Sequence, residues 1–366
     1  MSNNMDDNIG LGRSLEDILE EKGGWFHPLF YYTKDPDHYF ARQDIKETMR
    51  RITARNLIIF SELKTVLDVL NKAAVPAIIL KGLCLAEDYY PPGVRPLSDL
   101  DLLIKREDIE KSVKIINNLG YKLLGKGLPF SIHRDFAEKV TYHRTNGVMP
   151  VTLDLHTSLG PYPYLGRVKT AVLWQAARPR KVAGIDVLCL CPEHFLLHLC
   201  LHMFQHRYEN WLFSACDMLL LTRRYHGDEI NWSYFLKNVS DYKLHLPVAF
   251  SLKKTAKYFG RVSPGPVLEQ LENYRAGIIE QKLFNYYFGK TGAKDKYLIQ
   301  FLTQPGLISK ARCLFITLFP SRRIIREIYP DSGNNIILYD YYFYYKFIFM
   351  EVWRYVTAMA GGANKH

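Results

Sequence analysis

Apolar residues recur at steps of three to five between positions 42 and 73, through Ile45, Met49, Ile52, Leu57, Phe60, Leu63, Val66 and Leu70. That period predicts one long amphipathic helix. The pattern then shortens. Residues 75–82 are a brief apolar run rich in β-formers, which predicts a strand, and a helix opens at Gly82. Pro91-Pro92-Gly93 predicts a turn, residues 98–105 a second strand, residues 107–119 a helix closed by Gly120, and residues 121–124 another strand. Residues 131–158 predict two antiparallel strands with their bend at Gly147 and Pro150, because residues 151–156 alternate cleanly. A helix over 168–177 and a strand over 184–190 complete the mixed region. From Pro192 the strand pattern stops. Helices are predicted over 192–207, 212–224, 232–240, 246–259, 266–287, 306–319 and 338–360.

This change of texture near residue 191 predicts an α+β protein, with an extension over 1–40, a mixed-sheet core over 41–190 and an all-helical domain over 191–366. There is no low-complexity linker and no internal repeat. A chain of 366 residues with 48% hydrophobic and 23% charged residues is long enough for a large core and is neither disordered nor fibrous. None of the six cysteines forms a CxxC pair, and Cys189 and Cys191 alternate with apolar neighbours, so buried thiols are expected rather than a disulfide framework or a zinc ribbon. The N-terminus is polar and acidic, unlike a secretory signal, and no uncharged apolar run reaches spanning length; a cytoplasmic location is expected. The net charge of +11 is uneven. Residues 251–366 carry 17 Lys+Arg against 8 Asp+Glu, which points to an anionic or phosphate-rich partner for that part.

The strongest chemical signal is Asp99-Leu100-Asp101 on a predicted strand. Alternation puts both carboxylates on one face and the leucines on the other. Carboxylates so close repel unless they are solvated or bridged by a cation, and Mg²⁺ suits such hard oxygen ligands. Asp154, between Leu153 and Leu155, repeats the apolar-acid-apolar pattern on a second strand. Three acids on adjacent strands can hold two metal ions, which clamp the entering and leaving oxygens of an in-line phosphoryl displacement. Upstream, Leu80-Lys81-Gly82 ends a strand and opens a helix, a place suited to phosphate, with Lys81 adding charge. Arg95 and Ser98 lie between that unit and the acids. His156 follows Asp154 by two residues on the same face, either to orient an acceptor or phosphate or as a strand histidine with its own partners.

In order, Leu80-Lys81-Gly82, the stretch Tyr90-Pro91-Pro92-Gly93-Val94-Arg95-Pro96-Leu97-Ser98-Asp99-Leu100-Asp101-Leu102-Leu103, and Leu153-Asp154-Leu155-His156 resemble the uncharacterised bacterial nucleotidyltransferase family of the DNA polymerase β-like superfamily. The resemblance extends weakly to about residue 330. It implies a polymerase β-like core, Mg²⁺, and transfer of a nucleoside monophosphate from an NTP, ATP by expectation, to an acceptor with release of pyrophosphate. The acid pair maps onto Asp99 and Asp101, and the third acid onto Asp154. Lys81-Gly82 stands where the superfamily usually pairs glycine with serine or glycine. With Arg95 and Ser98, that pair is expected on the triphosphate. The acceptor stays open among small molecule, peptide, protein and RNA, and the helical domain is expected to close the cleft over it. The rival class is a non-catalytic nucleotide- or partner-binding regulatory protein on the same fold.

Three further features ask for a role. His194, His198, His202 and His206 recur every four residues, so each drifts about 40° from the last and all four cannot share one metal. A helix flanking the cleft, packing polar tips or reaching one or two histidines inward, is expected. Asp217 is a lone acid in an apolar helical run, which predicts an ion pair with a nearby arginine. The aromatic-dense helix over 338–360, with Arg322, Arg323 and Arg326 upstream, predicts a core or dimer helix, or a membrane-surface helix.

Overall fold

The computed structural model describes residues 42–124 apart from Asp88, 139–145, 149–160, 164, 166–206, 211–224, 230–277 apart from Arg261, a few positions to 284, 306–319 and parts of 341–353. The predicted extension over 1–40, the arginines at 322–326 and much of the last predicted helix lie outside the described residues. Helix α1 (Gln43–Lys72) buries the stripe formed by Ile45, Ile52, Ile59, Leu63, Val66 and Leu70. It leads into β1 (Ala77–Ile79), the single turn α2 (Gly82–Leu85) and β2 (Asp99–Ile104). Next come α3 (Ile109–Asn118), β3 (Lys122–Leu123), β4 (Lys139–Thr145) and β5 (Pro150–His156). Helix α4 (Thr170–Ala176) precedes β6 (Arg178–Val182) and β7 (Ile185–Cys189).

Among the described residues these strands form one seven-stranded mixed sheet, ordered β3-β4-β5-β2-β1-β7-β6. β2 sits at its centre, antiparallel to β1 and parallel to β5, and β4 runs antiparallel to β5. Every interior position of β2 from Leu100 to Ile104 is buried, as expected for a central strand. β6 was not expected, because Arg178-Pro179-Arg180-Lys181 has no apolar alternation. It is an edge strand, where proline and charge are tolerated. It pairs with β7 through Ala183 and Gly184, whose φ values of +50° and +73° fit the left-handed pair of a two-residue hairpin.

After the sheet the described chain is helical: α5 (Pro192–Gln205), α6 (Trp211–Arg224), α7 (Trp232–Asp241), α8 (His245–Phe259), α9 (Gly265–Glu272) and α10 (Gly306–Leu318). Helix α9 stops well short of the predicted end, since Tyr274 to Gly277 are not helical. α5 is buried around nearly its whole circumference, because α6, α7 and α8 all pack on it. One continuous apolar cluster runs from Ile59 on α1 through the sheet to Leu271 on α9. No helix among the described residues is long and apolar enough to cross a membrane. The described parts of the C-terminal aromatic stretch are helical and leave Tyr342, Phe349, Met350 and Trp353 exposed.

The segment that delivers the chain to β2 is held against α1. Gly93, at φ +79°, lies so close to α1 that a Cβ would come within 2.3 Å of the Met49 carbonyl oxygen, which excludes any other residue. Beyond Gly93 the chain is bonded to buried Asn56 on α1, whose Nδ2 donates to the Arg95 carbonyl at 2.9 Å and whose Oδ1 accepts from the Leu97 amide at 3.0 Å. Arg55 donates to the Leu97 carbonyl at 3.0 Å. The start of the acid-bearing strand is thereby pinned from one helix.

Candidate active site

β2 and β5 are parallel, with Asp99 opposite Thr152, Asp101 opposite Asp154 and Leu103 opposite His156. Pairing across parallel strands places opposed side chains on the same face. Two carboxylates 53 positions apart in the chain therefore become immediate neighbours, with Leu100, Leu102, Leu153 and Leu155 turned into the core behind them. Asp101, Asp154 and His156 are all buried and can each offer one ligand atom, these atoms lying within 4.8 Å of one another. Asp99 sits two residues down the same face and is only partly buried.

Cations and donors surround the acids. Lys81 Nζ lies 2.8 Å from Asp101 Oδ1, and His156 Nε2 donates to the same oxygen at 2.8 Å. Lys139 at the start of β4 is ion-paired with Asp154 Oδ2, while Thr141 Oγ1 donates to Asp154 Oδ1 at 2.5 Å. Burial by itself would raise the Asp101 carboxyl; the Lys81 charge, the His156 hydrogen bond and charge, and Lys139 outweigh it and hold that group well below the usual carboxylate range. Asp99 goes the other way. Burial and then the Asp101 charge raise it, against Lys81 and a 2.7 Å hydrogen bond from Ser98 Oγ. One carboxylate is thus locked ionised and its neighbour resists ionisation, which is the strain a bound cation would relieve.

Lys81 has φ +50° and ψ −127°, a left-handed conformation that costs a residue bearing a Cβ. A lysine accepts the strain at this turn, and its ammonium lies on Asp101. Gly82 is closely packed: a Cβ would stand 3.0 Å from Leu97 Cδ2 and 3.3 Å from Arg95 Nη2. α2 is only four residues long, so its dipole adds little to any phosphate site.

Of the residues the sequence singles out, the structure brings Asp99, Asp101, Asp154, Lys81 and His156 together, with Ser98 at the exposed rim. Arg95 lies beside Gly82, but its guanidinium is engaged by another acid. The Arg95 guanidinium forms a two-pronged pair with Asp217 on α6, Nη2 to Oδ2 at 2.9 Å and Nε to Oδ1 at 3.1 Å, while Nη1 donates to the Pro96 carbonyl. Tyr90 completes the cluster, donating to Asp217 Oδ1 at 2.6 Å. The arginine expected on the triphosphate is also the partner expected for Asp217, because both are largely withdrawn from water and each would be costly alone. Lys139 and Thr141 carry no motif and were not anticipated. Their alternation on one strand face is visible in the sequence, but only the register of β4, which sets Thr141 opposite Asp154, gives it meaning.

The histidine helix α5 packs on α6, α7 and α8. His202 Nδ1 is 2.9 Å from Ser214 Oγ on α6, and its ring centroid is 4.6 Å from that of His206. Burial, followed by the charges of Lys81, His206 and His198, pushes His202 well below the usual imidazole range against the pull of Asp101. His194 turns elsewhere, to the Tyr234 hydroxyl at 3.2 Å. The four histidines do not form one metal group among the described residues.

A sequence profile of the family described as uncharacterised nucleotidyltransferase matches residues 32–260, well over half of the chain. The chain belongs to that family, and its mixed sheet followed by helices is a nucleotidyltransferase α+β fold. A solved structure of an antigenic nucleotidyltransferase-like protein from Paracoccidioides brasiliensis is similar at 13% identity and a TM-score of 0.30, over 61% of this chain and 97% of that one. No curated protein matches the sequence.

Proposed function

We propose that this protein is a divalent-metal-dependent enzyme that transfers a nucleoside monophosphate from an NTP to an acceptor and releases pyrophosphate. The observation that carries the reading is the β2–β5 register, which sets Asp101 beside Asp154 with Asp99 two residues away on the same face. The donor set fits Mg²⁺ or Mn²⁺: carboxylate oxygens dominate, and they are buried where a cation would offset their mutual repulsion. Asp99, Asp101 and Asp154 would hold the metal, which supplies charge neutralisation on the triphosphate and on the attacking oxygen. His156, already bonded to Asp101 Oδ1, fixes that carboxylate's orientation as an outer partner. Lys81, now bonded to Asp101, would exchange it for a phosphate oxygen, with Ser98 at the entrance. Arg95 acts at one remove, tying the approach to β2 onto α6. Helices α5 and α6, joined by the His202–Ser214 contact, would form the acceptor wall.

The test is incubation with each α-labelled NTP and cell extract, with and without Mg²⁺, and identification of the labelled product. A metal-dependent product that disappears with Asp101→Asn is the expected result. The rival reading, a nucleotide-binding protein without turnover, has one observation in its favour: lysines already neutralise Asp101 and Asp154. Tight NTP binding that needs no metal and yields no product would decide for it.

A further inference from the structure

Asp101 and Asp154 are both closed to water, and each already holds an ammonium. The two lysines arrive from separate elements, Lys81 from the turn before α2 and Lys139 from the start of β4. They differ in freedom. The Lys81 side chain is 12% exposed and the Lys139 side chain 34%, so Lys139 has the head group that can swing out without crossing the core. A lysine is a compact charge on a flexible stem and changes partners readily. Since Thr141 donates to the second oxygen of Asp154, both oxygens of that carboxylate are engaged in the ligand-free protein.

A hard divalent ion needs the same oxygens. It gains them only if the ammonium finds another anion, and an incoming triphosphate is such an anion. We infer that Lys139 is a triphosphate ligand additional to Lys81, which in the nucleotide-free protein neutralises Asp154, so that metal and nucleotide each bind weakly alone and strongly together. The inference rests on the nucleotidyltransferase reading above and deepens it. By linkage the coupling is reciprocal: whatever factor the nucleotide adds to metal affinity, the metal adds to nucleotide affinity.

The experiment titrates the full chain with Mn²⁺, reading free ion by electron paramagnetic resonance, with and without α,β-methylene-ATP, in wild type, Lys139→Gln and Lys139→Arg. In wild type the analogue should tighten Mn²⁺ binding by about tenfold or more. Lys139→Gln frees Asp154, so Mn²⁺ alone should bind about tenfold more tightly than in wild type, the analogue more weakly, and the mutual enhancement should fall to about threefold or less. Lys139→Arg, whose fork grips a carboxylate more firmly, should shift metal-alone affinity the opposite way and keeps a cation on Asp154 if the glutamine variant folds poorly. Wild-type metal affinity in both variants overturns the inference, as does an equal loss of metal and nucleotide binding with a lowered melting temperature. Mn²⁺ binding abolished by Asp101→Asn but indifferent to Lys139 removes only the role of Lys139. Absence of both Mn²⁺ and analogue binding in wild type removes the nucleotidyltransferase reading itself.

Discussion

Two buried charge clusters flank the segment leading into β2, and they are built on different plans. In the Arg95–Asp217 cluster one carboxylate meets one guanidinium and one phenol, and every polar atom of the arginine is engaged. In the Asp101–Asp154 cluster at least two carboxylates share a face, and their counter-charges are lysines and a histidine. The first is balanced by a planar fork that holds one geometry, as suits a joint between the sheet and α6. The second is balanced by groups that can leave, and one of its acids, Asp99, is raised by burial and by the Asp101 charge. A buried ion pair alone therefore says little about function; the number of like charges and the exchangeability of their partners separate a joint from a site.

The comparison breaks most visibly at the joint. Asp217→Ala leaves the Arg95 charge buried and unpaired, and should cost about 4 kcal/mol of stability by denaturant unfolding. Arg95→Lys should recover only part of the loss that Arg95→Ala causes, since an ammonium cannot replace the two-pronged contact. Wild-type stability in Asp217→Ala would erase the distinction between the clusters.

At the site the loss of chemistry should be the larger effect. Asp101→Asn keeps the shape, and its metal-dependent turnover should fall at least a hundredfold, about 2.7 kcal/mol on the barrier. Unchanged rates in both Asp101→Asn and Asp154→Asn, with Mg²⁺ still required, would place the metal elsewhere.

The pH dependence sharpens the contrast within the site. Asp101 has a folded pKa below its unfolded value, so its stabilisation is present above the unfolded value of about 3.9 and is lost as the pH falls through the folded one. Asp99 has a folded pKa above its unfolded value, so the native state gains from it only at low pH and loses as the pH rises through the unfolded value toward the folded one. In metal-free protein Asp99→Asn should therefore raise the melting temperature at neutral pH, with the gain shrinking toward about pH 3. A gain that does not shrink on acidification would contradict the raised Asp99.

The smallest effect separates strain from charge at Lys81. Lys81→Gly and Lys81→Ala both lose the contact to Asp101, but only glycine relieves the positive φ. The glycine variant should be more stable than the alanine variant by about 1 kcal/mol, while both bind NTP equally poorly. Equal stability would mean the backbone is not strained there.

Much of this protein was legible one segment at a time. The period of α1, the alternation that put Asp99 and Asp101 on one face of β2, the similar pattern around Asp154, and the helical second half all follow from local spacing, which depends only on the backbone geometry of each element. Asp217 could be foreseen as half of an ion pair because an isolated buried charge is too costly to stand. What sequence spacing could not supply was partnership. That Asp101 faces Asp154 follows from a parallel register between strands separated by a helix and two further strands. That Arg95 pairs with Asp217 on α6 follows from packing between residues 122 positions apart. Lys139 and Thr141 stand over Asp154 only because β4 pairs with β5 in one register, and a slip of one residue would turn both to the opposite face. The acids are a property of their strands; which cation neutralises each of them is a property of the assembled sheet.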